Sequence, residues 1–303
     1  MKLSILDQSP VYEGCSFEEA LDKSIQLAQL GESLGYERYW LTEHHNFKSL
    51  ASSAPEIILA TIGSKTNKIR IGSGAVLLPH YKSYKVAEVF NTLAALFPNR
   101  VDIGVGRAPG GSAEATMALS DNYLQEVYKF PQKIRELIYF LQLENQETNP
   151  LPVPIPNIKP QIWLLGTSKK SALLAAEYGV SYAFGQFMSD KNGSEIIAEY
   201  IQNFKSEHTV KSPKALITVN VFCAETKERA DEVMTNMYKR KTVQGKIEEN
   251  DMTDTIVGDS IEVKDRLEEI RAMHQVEEIM LNVPSINYHD RIKSFKLIAE
   301  ELL

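Results

Sequence analysis

Short apolar runs alternate with longer stretches in which apolar positions recur every three or four residues, from Leu3 through Val105. That alternation marks βαβ units and a parallel sheet. Leu3 to Leu6 reads as a first strand. Ser16 with Glu19 makes a capping-box pattern ahead of Ala20, Leu21, Ile25, Leu27, Ala28 and Leu34, so a helix is expected to end near Gly35. Arg38 to Leu41 is a second strand, and Pro55 stands where a helix start accepts proline, before Ile57, Ile58, Ala60 and Ile62. Ile69 to Ala75, a helix over Lys85 to Phe97, and Val101 to Val105 repeat the cycle.

The middle of the chain is less regular. Asp121 to Leu143 reads as one long helix. Asn149 to Pro160 then carries five of the thirteen prolines and must be extended, because proline removes a backbone donor and fixes φ. Ile162 to Leu165, a helix from Ser168 to Tyr178, and Val180 to Phe184 resume the alternation. Ala215 to Phe222 and Glu277 to Val283 supply a seventh and an eighth strand, and a last helix runs from Asp290. The expected fold is a single (β/α)8 TIM barrel over residues 1–303, with a polar helical insertion before the last strand, at about 225–275, serving as a lid.

Composition narrows the function classes. With 43% hydrophobic and 24% charged residues the chain is ordinary for a globular protein, and a formal charge of -7 argues against a general nucleic-acid binder. Cys15 and Cys223 are too few and too far apart for a disulfide framework. The N-terminal apolar run is too short for a signal-peptide core, and no stretch is long enough to span a bilayer, so a cytoplasmic protein without membrane association is expected.

Two of the six histidines stand side by side in Thr42-Glu43-His44-His45-Asn46, where an apolar run gives way to a polar loop. A barrel delivers its active-site side chains at such strand ends. Neighbours on a strand point to opposite faces, so the pair cannot share one ion, and no Cys pair is available to complete a zinc site. One catalytic or cofactor-facing histidine, or two structural ones, remain open readings. Gly72-Ser73-Gly74-Ala75 ends the third strand with small side chains, which either let a flat group approach the backbone or pack a helix closely. Gly104-Val105-Gly106-Arg107 ends the fourth. Its glycine spacing misses the dinucleotide fingerprint, and Arg107 reads as a cation for an anionic group or as half of a salt bridge. Gly166-Thr167-Ser168 with Ser171 opens a helix, and offers either a phosphate cradle or a plain N-cap.

Taken in order, several strings resemble the bacterial luciferase-like flavin monooxygenases. They are Leu6-Asp7-Gln8-Ser9-Pro10, Tyr39-Trp40 with Glu43-His44-His45-Asn46, Gly72-Ser73-Gly74-Ala75, Val86-Ala87-Glu88, Gly104 to Pro109, Leu165-Gly166-Thr167-Ser168 and Ile256-Val257-Gly258-Asp259. The resemblance covers nearly the whole chain and is closest to the single-chain branch. It implies a (β/α)8 barrel that binds FMN at the C-terminal ends of its strands, takes it reduced from a separate NAD(P)H-dependent flavin reductase, and oxygenates a small organic substrate through a flavin peroxide. It further implies a homodimer formed by early outer helices. His44 then stands beside the flavin as the catalytic residue. Gly74 and Ala75 form the strand-three bulge under the isoalloxazine, often with a non-proline cis peptide, and Ser73 beside them is counted with the cofactor-binding residues. Gly106 and Arg107 meet the phosphate region, and Gly166, Thr167, Ser168 and Ser171 are the phosphate-binding helix start. The luciferases proper carry a reactive cysteine where this chain has Gly106, so neither thiol chemistry nor light emission is carried over. Two alternatives stay in view: a deazaflavin-dependent hydride-transfer enzyme on the same fold, and a non-catalytic flavin-binding protein.

Overall fold

The computed structural model describes residues 1–143, 149–206, 211–243 and 255–303. Nine parallel strands are present among the described residues: β1 (Lys2–Asp7), β2 (Arg38–Leu41), β3 (Arg70–Leu77), β4 (Val101–Gly106), β5 (Gln161–Gly166), β6 (Ser181–Gly185), β7 (Ala215–Cys223), β8 (Thr255–Gly258) and β9 (Glu278–Asn282). Eight of them close a barrel in chain order, β9 pairing with both β7 and β1. The extra strand, β8, lies alongside the upper half of β7, Asn220 to Cys223. This is the expected TIM barrel, with one more strand than the sequence pattern suggested.

Helices cover the outside. Ser16 and Glu19 do form the capping box of α1 (Phe17–Leu34), and Gly35 ends it in the left-handed region. α2 (Pro55–Lys65) takes its proline at the start, and α3 (Ser83–Leu96) follows β3 through one 3-10 turn. After β4 the expected single helix is broken. α4 (Ala113–Leu119) precedes it, and α5 (Tyr123–Tyr128) is separated from α6 (Phe130–Gln142) at Lys129. Pro131 accounts for the break, since its ring would clash with the carbonyl four residues earlier and it has no N–H to donate. α7 (Lys169–Glu177) and α8 (Gly193–Gln202) follow β5 and β6. The segment expected as a helical insertion contains α9 (Lys227–Val243), β8 and α10 (Ser260–His274), and α11 (Tyr288–Leu302) closes the fold. His289 and Asp290 fall in the first turn of α11, whose cap Asn287 accepts from the Asp290 N–H, so that pair is a helix start.

Because both faces of each strand are covered, the strands read as nearly continuous apolar runs. One face joins the core shared with the helices, through Leu3, Ile5, Tyr39, Leu41, Ile71 and Ile103. The other face fills the barrel interior, where Leu6, Trp40, Trp163, Ala183, Leu216 and Met280 form a separate cluster. Below that cluster, at the N-terminal ends of the strands, the interior is ionic. Arg38 donates to Glu278 (2.5 and 2.9 Å) and Asp102 (2.6 Å), Arg70 donates to Asp102, Ser4 donates to Glu278, and Trp40 Nε1 donates to Asp102. Arg38 also lies 4.9 Å from the Trp163 ring centroid. Burial opposes ionisation of Asp102, but the two guanidinium groups outweigh it and hold its carboxyl below the usual range.

Candidate active site

Alternation along each strand decides which side chains reach the top of the barrel. In β1 the inward phase of Ser4 and Leu6 continues to Gln8, and in β2 that of Arg38 and Trp40 continues to Thr42 and His44. Gln8, Thr42 and His44 all line a cavity of about 1060 Å³ at the C-terminal ends of the strands, floored by Leu6, Ala183 and Met280. His44 Nδ1 is 2.9 Å from Thr42 Oγ1, and its ring meets Phe47 edge-on. Burial lowers the His44 pKa, the neighbouring His45 lowers it further, and Glu43 opposes both. His44 is therefore neutral at pH 7 and presents its other ring nitrogen as donor or acceptor.

His45 takes the other phase and does not line the cavity. Its Nε2 is 2.8 Å from Glu43 Oε1, and its backbone N–H donates to the Gly110 carbonyl. Glu43 is buried and also accepts from the Leu77 N–H (3.0 Å) and the Tyr81 hydroxyl (2.6 Å). Burial raises the Tyr81 pKa and the Glu43 charge raises it further, so the phenol stays a donor. The two histidines are thus separated in role by one residue of strand phase.

The Gly74–Ala75 peptide is cis, and β3 shifts register against β4 between Ser73 and Val76. Gly74, Ala75 and Gly106 line the cavity side by side. A Cβ on Gly74 would come within 2.8 Å of Leu6 Cδ1, and one on Gly106 within 3.1 Å of Ala75 Cβ, so this wall stays a bare shelf. Ser73 does not belong to it. It is fully buried and does not line the cavity. Its hydroxyl accepts from the Gly104 N–H (3.1 Å) and donates to the Gly104 carbonyl (2.9 Å).

Arg107 lies exposed at the rim and makes no ion pair among the described residues, so the salt-bridge reading has no partner there. Across the cavity, Gly166, Thr167, Ser168, Lys170 and Ser171 line it at the start of α7. The Ser168 hydroxyl caps the Ser171 N–H, and the Ser171 hydroxyl returns to Ser168 and to Tyr182, so both serve the helix itself. The Thr167 hydroxyl makes no protein hydrogen bond among the described residues. α7 opens on Lys169, which pairs with Glu199, and on Lys170, which has no ion-pair partner among the described residues; with no acidic residue in the first turn, the helix start favours an added anion. Sequence reasoning passed over those lysines, although their position against the helix dipole was visible.

It also missed the outer wall. Leu124, Val127 and Tyr128 of α5 and Pro131, Gln132 and Arg135 of α6 line the cavity, whereas none of the described residues between 225 and 275 does. Residues 244–254 of the expected lid lie outside the described residues. Lys129, Arg135, Lys170 and Arg107 all reach the cavity, against Glu43 as the one carboxylate lining it among the described residues. A chain of charge -7 has therefore gathered cations here. No three His, Cys, Asp or Glu side chains converge as a metal set among the described residues, and none of the described helices is long and apolar enough to cross a membrane.

Barrel, shelf and helix start together define a (β/α)8 barrel with a ligand-sized cavity at its strand ends. The family model for luciferase-like monooxygenases matches residues 1–282, and the chain belongs to that family. An N-acetyl-S-alkylcysteine monooxygenase of Bacillus subtilis (strain 168) is 34% identical, the match covering 100% of this chain and 98% of that protein. Among solved structures, apo-MsnO8 superposes with a TM-score of 0.88 at 33% identity, over 99% of this chain and 98% of the other. The oxygenating constituent of 3,6-diketocamphane monooxygenase from Pseudomonas putida, solved with FMN, shares the fold with a TM-score of 0.74 at 16% identity, over 100% and 98% of the two chains.

Proposed function

We propose that the protein is a flavin-dependent monooxygenase that uses reduced FMN and oxygen to oxygenate a small organic substrate. The observation that carries this reading is one cavity holding a neutral histidine, a bare Gly74–Ala75/Gly106 shelf and a cationic helix start. A planar ring can lie against a shelf without side chains, and a phosphate suits the α7 start with Thr167, Lys170 and Arg107. The donor set therefore fits FMN. Bound and reduced, the flavin supplies the electrons that activate oxygen.

The remaining work falls to the chain. Ligand sites typically span about 300 to 1,000 Å³, so a cavity of about 1060 Å³ accommodates a flavin ring with a second small molecule beside it. Leu6, Leu165, Phe187 and Met280 exclude water from its floor, and His44, held by Thr42, gives or takes a proton above the shelf. The same reading makes the protein a cytoplasmic homodimer supplied by a separate NAD(P)H-dependent flavin reductase. Anaerobically reduced FMN, mixed with the protein and then exposed to oxygen, should reoxidise more slowly than free FMN. Reoxidation as fast as in free solution removes the support for monooxygenation, and preferential binding of a deazaflavin over FMN transfers it to hydride transfer.

A further inference from the structure

Arg107 is a rim cation whose guanidinium has no ion-pair partner among the described residues, so its direction depends on the backbone that carries it. That backbone runs through Arg107-Ala108-Pro109-Gly110-Gly111, with Gly110 at φ +70°, where only glycine is unstrained. A glycine-rich rim loop would ordinarily sample many conformations, at an entropic cost to any ligand that needs one of them. Here three neighbours hold it. The Tyr123 hydroxyl donates to the Arg107 carbonyl (2.8 Å), His80 Nε2 stands 2.9 Å from the Pro109 carbonyl, and the His45 N–H donates to the Gly110 carbonyl (2.7 Å).

Two of these ties are themselves joined. The His80 and Tyr123 rings stack with centroids 4.8 Å apart and planes 24° from parallel. A carbonyl can only accept, so His80 Nε2 carries a proton and donates it to Pro109. Nδ1 is buried with no hydrogen-bond partner. An imidazole that leaves one nitrogen unsatisfied to keep the other on Pro109 is spending its polarity on the loop. Tyr123 also opens α5, which contributes Leu124, Val127 and Tyr128 to the cavity wall.

We propose that the stacked His80–Tyr123 pair is a positioning clamp that aims Arg107 at the phosphate of the bound flavin and locks the rim loop to the outer wall. This rests on the phosphate role given to Arg107 above. Tyr123 and His80 act through Arg107 and through no contact of their own with the ligand.

The test uses the full-length protein, with oxidised FMN and riboflavin as probes differing only in the phosphate, and reads dissociation constants by flavin fluorescence. Tyr123→Phe and His80→Phe keep the stacked ring and remove one hydrogen bond each. Each should weaken FMN binding by about fivefold, the worth of one ordinary hydrogen bond, while riboflavin binding stays within about twofold. In an Arg107→Ala background neither should weaken FMN further, because the group they aim is gone. Equal losses for FMN and riboflavin, or equal losses with and without Arg107, would identify a merely structural tie and overturn the clamp. An Arg107→Ala variant with undiminished FMN affinity overturns the phosphate role itself. Loss in Arg107→Ala with none in Tyr123→Phe and His80→Phe overturns the clamp alone. Thermal midpoints of all variants, measured alongside, separate a lost aim from a lost fold.

Discussion

The two ends of this barrel are made from the same strands about four to six residues apart, and they obey opposite rules. At the N-terminal end Arg38, Arg70, Asp102, Glu278 and Ser4 are buried or nearly so, and they bond one another. At the C-terminal end His44 meets one hydroxyl, Lys129 pairs with Glu126, and Arg107, Arg135 and Lys170 have no ion-pair partner among the described residues, in a cavity with one committed carboxylate. The lower charges are satisfied within the protein, and of the upper cations all but Lys129 are left without an ion-pair partner among the described residues. Polar residues in a barrel interior therefore divide by completeness of partnering: a closed network supports the fold, and an open one waits for a ligand.

The widest gap between the ends should appear in turnover. His44→Ala should lose about 10² to 10⁴ in oxygenation rate, the usual worth of a proton-transferring group, while FMN affinity and denaturation midpoint stay near wild type. Retention of turnover would move the chemistry away from β2. Arg38→Ala should behave in reverse. It strands Asp102 and Glu278 in the interior and should cost about 3 to 5 kcal/mol in urea unfolding, with flavin affinity of the folded fraction unchanged. A negligible cost would mean that the lower end is less closed than its bonds indicate. Arg107→Ala should weaken FMN binding by about 10- to 100-fold, as expected for a lost charge-assisted hydrogen bond, with stability altered by less than about 0.5 kcal/mol.

The smallest effect is a matter of pH. Folded His44 has a lowered pKa, mainly through burial and secondarily through His45, and buried His274 is lowered by burial too. As pH falls below about 6.5, the ordinary imidazole value, the unfolded chain takes up protons before the folded one does. Stability should therefore decline on the acid side of about 6.5, and His44→Ala should flatten that slope. An acid limb of the wild-type turnover profile should likewise lie below about 6.5, since neutral His44 persists there.

Much of the barrel was legible because its causes are local. The Ser16–Glu19 box, Pro55 at a helix start and Arg38–Leu41 as a strand all follow from neighbours in sequence. The break near Pro131 was equally local and was lost to a strong apolar periodicity running across it. β8 was harder: its residues pair with the upper half of β7, and nothing near Thr255–Gly258 indicates that partner. At the site, strand phase separated His44 from His45. The outer wall stayed hidden because α5 and α6 reach the cavity only through their packing. Lys133, for instance, donates to the carbonyls of Leu78, Pro79 and Tyr81 at the end of β3, a contact between segments more than fifty positions apart.

Ser73 bears on how variants of this protein will be interpreted. Its hydroxyl stands in for a peptide group, taking both the N–H and the carbonyl of Gly104 where β3 slips against β4. A saturation screen scored on flavin retention should find this position tolerant of threonine and intolerant of alanine, because the hydroxyl ties β3 to β4 at the shelf. Sensitivity to substitution here would report the shape of the wall and the join between two strands, so a screen of this kind reads architecture as well as contact.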